Sequence, residues 1–226
     1  MDLATGELGL QCTMHMKLIL LGVLIYLTTA TICIAETSAS NRFIRLDEQG
    51  LTIEDSGKNP TGTWHCALDQ KTGLVWEVKT RNPGLHYQNN TYSWFNPDTR
   101  VNGGLAGYPG GADCRSKPCD TRNFVEKVND VGWCNAHDWR LPTREELRSL
   151  VNYNQKELGP AIDHVVFPNS VNQFYWSADS NATNAEEAWG IGFAFGFDYA
   201  YFKNNPGHVR LVRQSKKFLA KNGNFE

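Results

Sequence analysis

Four cysteines, Cys66, Cys114, Cys119 and Cys134, carry the clearest chemistry in the sequence. Cys12 and Cys33 lie ahead of them, in a segment expected to be removed. An even set in an exported chain reads as a disulfide framework, and four thiols allow three connectivities. Cys114-Arg-Ser-Lys-Pro-Cys119 is a short loop suited to a local bridge, which leaves Cys66 to pair with Cys134. Zinc needs a second pair of close ligands, and the Cys114–Cys119 spacing has no such counterpart, so no metal site is assigned.

Between Asn89 and Asp113 lies a second group. Tyr92, Trp94, Phe95 and Tyr108 stand among Asn96, Asp98, Asn102 and Asp113. Sugars offer apolar C–H faces to aromatic rings and hydroxyls to Asn and Asp, so this mixture could hold a glycan. The alternative is turn chemistry, in which the rings anchor the loop and Asn and Gly shape it. Asp98 and Asp113 could hold calcium with loop carbonyls, although no spaced oxygen-ligand motif is present. No other cofactor is expected. The third group is basic. Residues 199–225 hold six Lys and Arg and no acid, whereas residues 36–198 carry a net charge of −6. Arg210, Arg213, Lys216, Lys217 and Lys221 could form one patch for the sulfates and carboxylates of an anionic polysaccharide. The alternative is a solvated tail.

Enzyme motifs are absent. There is no His-Glu-x-x-His, no Gly-x-Ser-x-Gly and no phosphate-binding glycine loop. His65, His86, His137, His164 and His208 are scattered, and bridged cysteines are not nucleophiles. No catalytic residue is assigned. The 226 residues are 41% apolar, 20% charged and 12% aromatic, with a net charge of −2. That is globular composition with room for one moderate domain, and it has no basic excess to suggest nucleic acid.

Several elements must position these groups. Lys17 precedes the apolar run Leu18 to Leu27, and small residues lead to Ala35, which describes a signal peptide over 1–35. Met16 reads as the true start. A membrane anchor is the rival, but Leu18 to Ala35 is marginal in length for a span. The mature chain then carries no membrane span, a linker over 36–41, a domain over 42–213 and a basic tail over 214–226. Its expected place is the periplasm, the outer cell surface or the extracellular medium. Residues 42–46 with 51–53, and 64–68 with 74–78, read as hairpins. Thr121 should cap a helix carrying Phe124, Val125, Val128 and Val131, and Thr143-Arg-Glu-Glu146 is a capping box with Leu147, Leu150 and Val151 on one face. Phe174 to Ser177 and Val209 to Val212 read as strands. From Trp189 to Phe197 large and small residues alternate, which reads as strand with a bend or turn near Gly196.

The segment Trp139-Arg-Leu-Pro-Thr-Arg-Glu-Glu-Leu147 resembles a known family, as do Asp69-x-x-Thr-Gly-Leu-x-Trp76, Tyr175-Trp-Ser177 and Val209-Arg-Leu-Val-Arg213. Together they resemble the C-terminal domain of Legionella collagen-like adhesins, in order from about residue 42 to 213. The resemblance implies a C-type-lectin-like, sulfatase-modifying-like α+β fold: two helices, twisted antiparallel sheets, terminal strands close together and long surface loops. It also implies an adhesin-like binding module for glycans or anionic polysaccharide, and leaves open a homotrimer. This chain has no Gly-X-Y stretch, the element that would enforce trimers. A structural or protein-interaction subunit of a bacterial envelope assembly, with an envelope protein as partner, is the alternative. Arg140, within the motif, is expected to pair with an internal carboxylate.

Overall fold

The computed structural model describes residues 11–16, 29–34, 42–53, 63–154 and 159–216. The apolar run 18–27, the linker 36–41 and Lys217 and Lys221 lie outside them. The chain divides into Met1–Asn41 and Arg42–Glu226. In the first unit β1 (Gln11–Met16) pairs antiparallel with β2 (Thr29–Ile34). Among the described residues no helix is long and apolar enough to cross a membrane.

The second unit is an α+β domain with two antiparallel sheets. The first has the order β3-β4-β5-β9, from β3 (Phe43–Leu46), β4 (Cys66–Asp69), β5 (Leu74–Glu77) and β9 (Val212–Gln214). The second has the order β6-β7-β8, from β6 (Phe174–Ser180), β7 (Glu187–Gly192) and β8 (Phe197–Phe202). The Gly73 turn joins β4 to β5 with φ of 72°, a left-handed backbone that glycine reaches without strain. Thr52 bridges back to Leu46, so the expected first hairpin forms as an isolated bridge.

Alternate residues of the strands feed two cores, which is why β5 is buried throughout. Val75, Phe174 and Trp176 face one core with Tyr92, Trp94, Phe124 and Trp139. Trp76, Tyr175 and Ile191 face the other with Leu147, Phe167 and Phe193. Helix α1 (Thr121–Val131) packs Phe124 and Val128 into the first. Its cap is Asp120, not Thr121: Asn123 N–H donates to Asp120 Oδ1 at 2.9 Å. Thr121 is already helical, and its hydroxyl instead ties Phe95 of the preceding loop to the helix through N–H and carbonyl bonds. Helix α2 (Arg144–Arg148) starts at the Thr143–Glu146 capping box and packs Leu147 into the second core. It is shorter than its apolar pattern suggests. Leu150 and Val151 N–H groups donate to Leu147 and Arg148 carbonyls, an i→i−3 tightening that ends the α-helix while keeping both residues inward.

Disulfides join Cys66 to Cys134, across 68 residues, and Cys114 to Cys119. This is the pairing the loop spacing favours. The first ties β4 to the turn after α1. The expected strand at 209–212 is regular only at its end. Gly207 bonds to Tyr92, His208 to Phe174 and Trp176, Leu211 to Glu77, and Val212 to Arg140. One short segment therefore bonds to both sheets and two loops in turn, and it stays paired without becoming one ladder.

Candidate functional site

The alternation from Trp189 onward breaks at a turn that ends on Gly196, where the sequence places a bend or turn. β7 stops at Gly192, residues 193–196 turn, and β8 returns beside β7. Phe193 remains in the core, whereas Phe195 and Phe197 are 75% and 66% exposed. Gly190 pairs with Tyr199 and Gly192 with Phe197, while Phe174 and Trp176 pair across the other edge of β7 with Gly192 and Gly190. One face of this sheet thus reads aromatic, small, aromatic across its three strands.

Those small residues make a trough. A Cβ at Gly190 would lie 2.2 Å from the Tyr175 carbonyl and 2.4 Å from the Phe174 ring; at Gly192 it would lie 2.9 Å from the Tyr199 ring. The rings from both flanking strands therefore lean over β7. Phe174 lies 4.8 Å from Tyr199 and 5.2 Å from Tyr201, centroid to centroid, in tilted arrangements. The inner rings are buried and the outer ones are not: Tyr199 and Tyr201 stay 42% and 36% exposed. Between them opens a groove of about 520 Å³. Its remaining edge is polar, formed by Thr91, Asn172, Gln173 and His208. Exposed aromatic rings rimmed by polar groups are the composition of a ligand-binding surface, which makes the groove the candidate site.

The electrostatics of the groove are simple. Burial, and then the Lys79 charge, push the pKa of His208 down to about 4, so its ring is neutral at pH 7. Its Nδ1 is buried and has no hydrogen-bond partner. Burial, and then Tyr201, raise the pKa of Tyr199, which keeps its hydroxyl protonated.

The residues selected from sequence fall elsewhere. Tyr92 and Trp94 are buried, Tyr92 stacked on Phe124 at 4.6 Å and Trp94 Nε1–H donating to the Ser177 carbonyl at 2.9 Å. They anchor the loop and leave no ring face free for a sugar. Asn102 is buried and shapes its turn, donating to the Asn96 carbonyl. Asn96 and Asp98 are partly exposed but work locally: Asn96 Oδ1 accepts from Asp98 N–H, and Asp98 grips Arg100 at 2.6 Å. Tyr108 is the exposed ring of this loop. Among the described residues no group of three or more His, Cys, Asp or Glu converges on a point.

The basic patch is taken apart in the same way. Arg210 is 1% exposed. It donates to the Glu77 carbonyl at 2.6 Å and to Ser170 Oγ at 2.7 Å, and lies 4.7 Å over the Phe167 ring. Lys203 is also buried, donating to the Asn102 and Leu105 carbonyls beneath Trp94. Arg213 pairs with Asp138 at 2.6 Å. Lys216 is exposed, and Lys217 and Lys221 lie outside the described residues. Arg210 belongs to a buried ionic cluster. Lys79 Nζ and His86 Nδ1 approach Glu77 Oε1 at 2.8 and 2.7 Å, and Leu211 N–H donates to Oε2. Burial works to raise the Glu77 pKa, but Lys79 and the His86 hydrogen bond outweigh it and hold the carboxyl well below the usual range. Arg140 does pair with an internal carboxylate, reaching both oxygens of Glu146 at 2.7 Å.

Sequence reasoning read the Trp189 alternation as a strand with a bend or turn and missed the groove. Its signal was present: Phe197, Tyr199 and Tyr201 alternate with Asp198 and Ala200, opposite glycines two residues apart.

The domain is a disulfide-braced α+β fold that turns an aromatic trough to solvent. The chain belongs to the Lcl C-terminal domain family, whose model matches residues 65–213, and so to the adhesin-like surface modules its motifs resemble. No curated protein and no solved structure shows a significant match to it.

Proposed function

We propose that this protein is an exported, non-catalytic surface module that binds glycans, and that the β6–β8 groove is where it does so. The observation that carries the reading is the run of exposed rings Phe197, Tyr199 and Tyr201 beside unionised hydrogen-bonding groups. Pyranose C–H faces pack on such rings, while hydroxyls reach Asn172, Gln173 and the tyrosine oxygens. Membership of an adhesin-like family supports it. The proposal includes a C-type-lectin-like architecture. The placing of β3 and β9 in one sheet, and the long organised loop before α1, support that part.

A glycan array probed with the full chain tests the function. Binding that weakens at least about tenfold in Tyr199→Ala is expected, the scale of a central aromatic contact. A blank array, with an envelope protein recovered reproducibly as partner, would favour the structural-subunit reading instead.

A further inference from the structure

We infer that the groove selects uncharged saccharide segments and rejects sulfated or carboxylated ones. The inference rests on the glycan-binding reading above and specifies the chemistry of its ligand. Among the described residues that line the groove, none is Lys, Arg, Asp or Glu. The charged residues closest to it in sequence are turned away. Asp198 alternates onto the opposite face of β8 and lies 3.6 Å from Arg144. Lys203 is spent on two loop carbonyls. Behind the groove, Lys79 and Arg210 are held in the Glu77 cluster rather than offered to it.

An anionic group entering this trough would leave water without gaining a counter-charge, and an unpaired charge in a partly apolar site is costly. A neutral sugar loses only hydroxyl hydration, and the groove can return it. Thr91, Asn172, Gln173 and His208 offer both donors and acceptors. His208 lines the groove as a mostly buried, uncharged ring. A basic residue is the usual means of holding sulfate or carboxylate, and here Lys79, Lys203 and Arg210 are each committed to a carbonyl or a carboxylate of the protein itself.

The experiment compares the full chain with dextran, mannan and xylan as uncharged probes and with heparin and alginate as anionic ones, between about 50 and 200 mM salt. The expected result is binding to at least one uncharged polymer, changing less than about twofold over that range, because no counterions are released. It should fall about tenfold in Tyr199→Ala and in Phe197→Ala. Two variants are used so that misfolding of one, seen in its melting curve, does not decide the matter. Anionic polymers bound through the groove, lost in the same variants, would overturn the charge selection and leave the glycan-binding reading intact. Anionic binding that ignores both variants but disappears on truncation after Lys216 would place recognition in the tail and overturn both. Absence of binding to every polymer would also overturn both.

Discussion

Glu77 holds together more charge than its position in a hydrophobic strand suggests. Its carboxylate neutralises Lys79, and its backbone carbonyl receives Arg210. Removing its charge leaves two buried cations facing each other without a counter-ion. Glu77→Gln should cost about 3–5 kcal/mol in urea unfolding, the range for breaking a buried pair from one side. Because the folded pKa of Glu77 is depressed, its contribution is full above the unfolded carboxylate value and drains only in strong acid. His208 acts in a milder window. The unfolded imidazole takes a proton near 6.5 and the folded one resists until about 4. Its contribution is therefore complete above pH 6.5 and falls by about 3 kcal/mol as the pH drops to 4. Urea midpoints from pH 7 to 4 would show this, with a shallower slope in His208→Gln. None of this cluster was legible from the sequence. Glu77 and Arg210 are 133 positions apart, and a basic residue in a lysine-rich stretch reads as solvated until its partner across the fold is known.

At the scale of elements, local signals were the readable ones. The capping box at Thr143, the Gly73 turn and the Cys114–Cys119 loop each act within a few residues, and each formed as its spacing implies. The side of a strand that faces solvent is not a local property. Period-two alternation placed Phe193 and Phe197 on one face, but the turn at 193–196 sent the first inward and the second outward. Gly190 and Gly192 then decide whether the flanking rings can meet. Gly190→Ala would drive a methyl against backbone, and should cost about 3 kcal/mol or more by thermal melt. Gly192→Ala meets only a ring edge, so it should cost less and act by tilting Tyr199 out of the groove. The two disulfides should differ as well. Cys66→Ser with Cys134→Ser removes a 68-residue closure worth about 4 kcal/mol, whereas the Cys114–Cys119 loop is worth about 2. Unfolding of the paired variants in guanidinium would separate them.

Over the whole molecule, the segment from Gly207 to Arg213 is the seam. It hydrogen-bonds in turn to the Tyr92 loop, β6, β5 and the strand-like Arg140, and its Val209, Leu211 and Val212 enter both cores. A chain ended after Pro206 should lose near-UV circular dichroism and cooperative melting, whereas one ended after Lys216 should keep both. The seam also sets an order of events. A polypeptide emerging N-terminus first, from a ribosome or through a pore, presents β3, β4 and β5 long before Gly207 to Arg213, the segment that bonds to both sheets. The β3–β4–β5 and β6–β7–β8 hairpins close locally, but the β5–β9 pairing and the backbone bonds of Gly207 to Val212 wait for that segment, and such long-range contacts form slowly. Until Gly207 to Arg213 has emerged, the two sheets lack the segment that ties them to each other, so the domain closes only once that stretch is free.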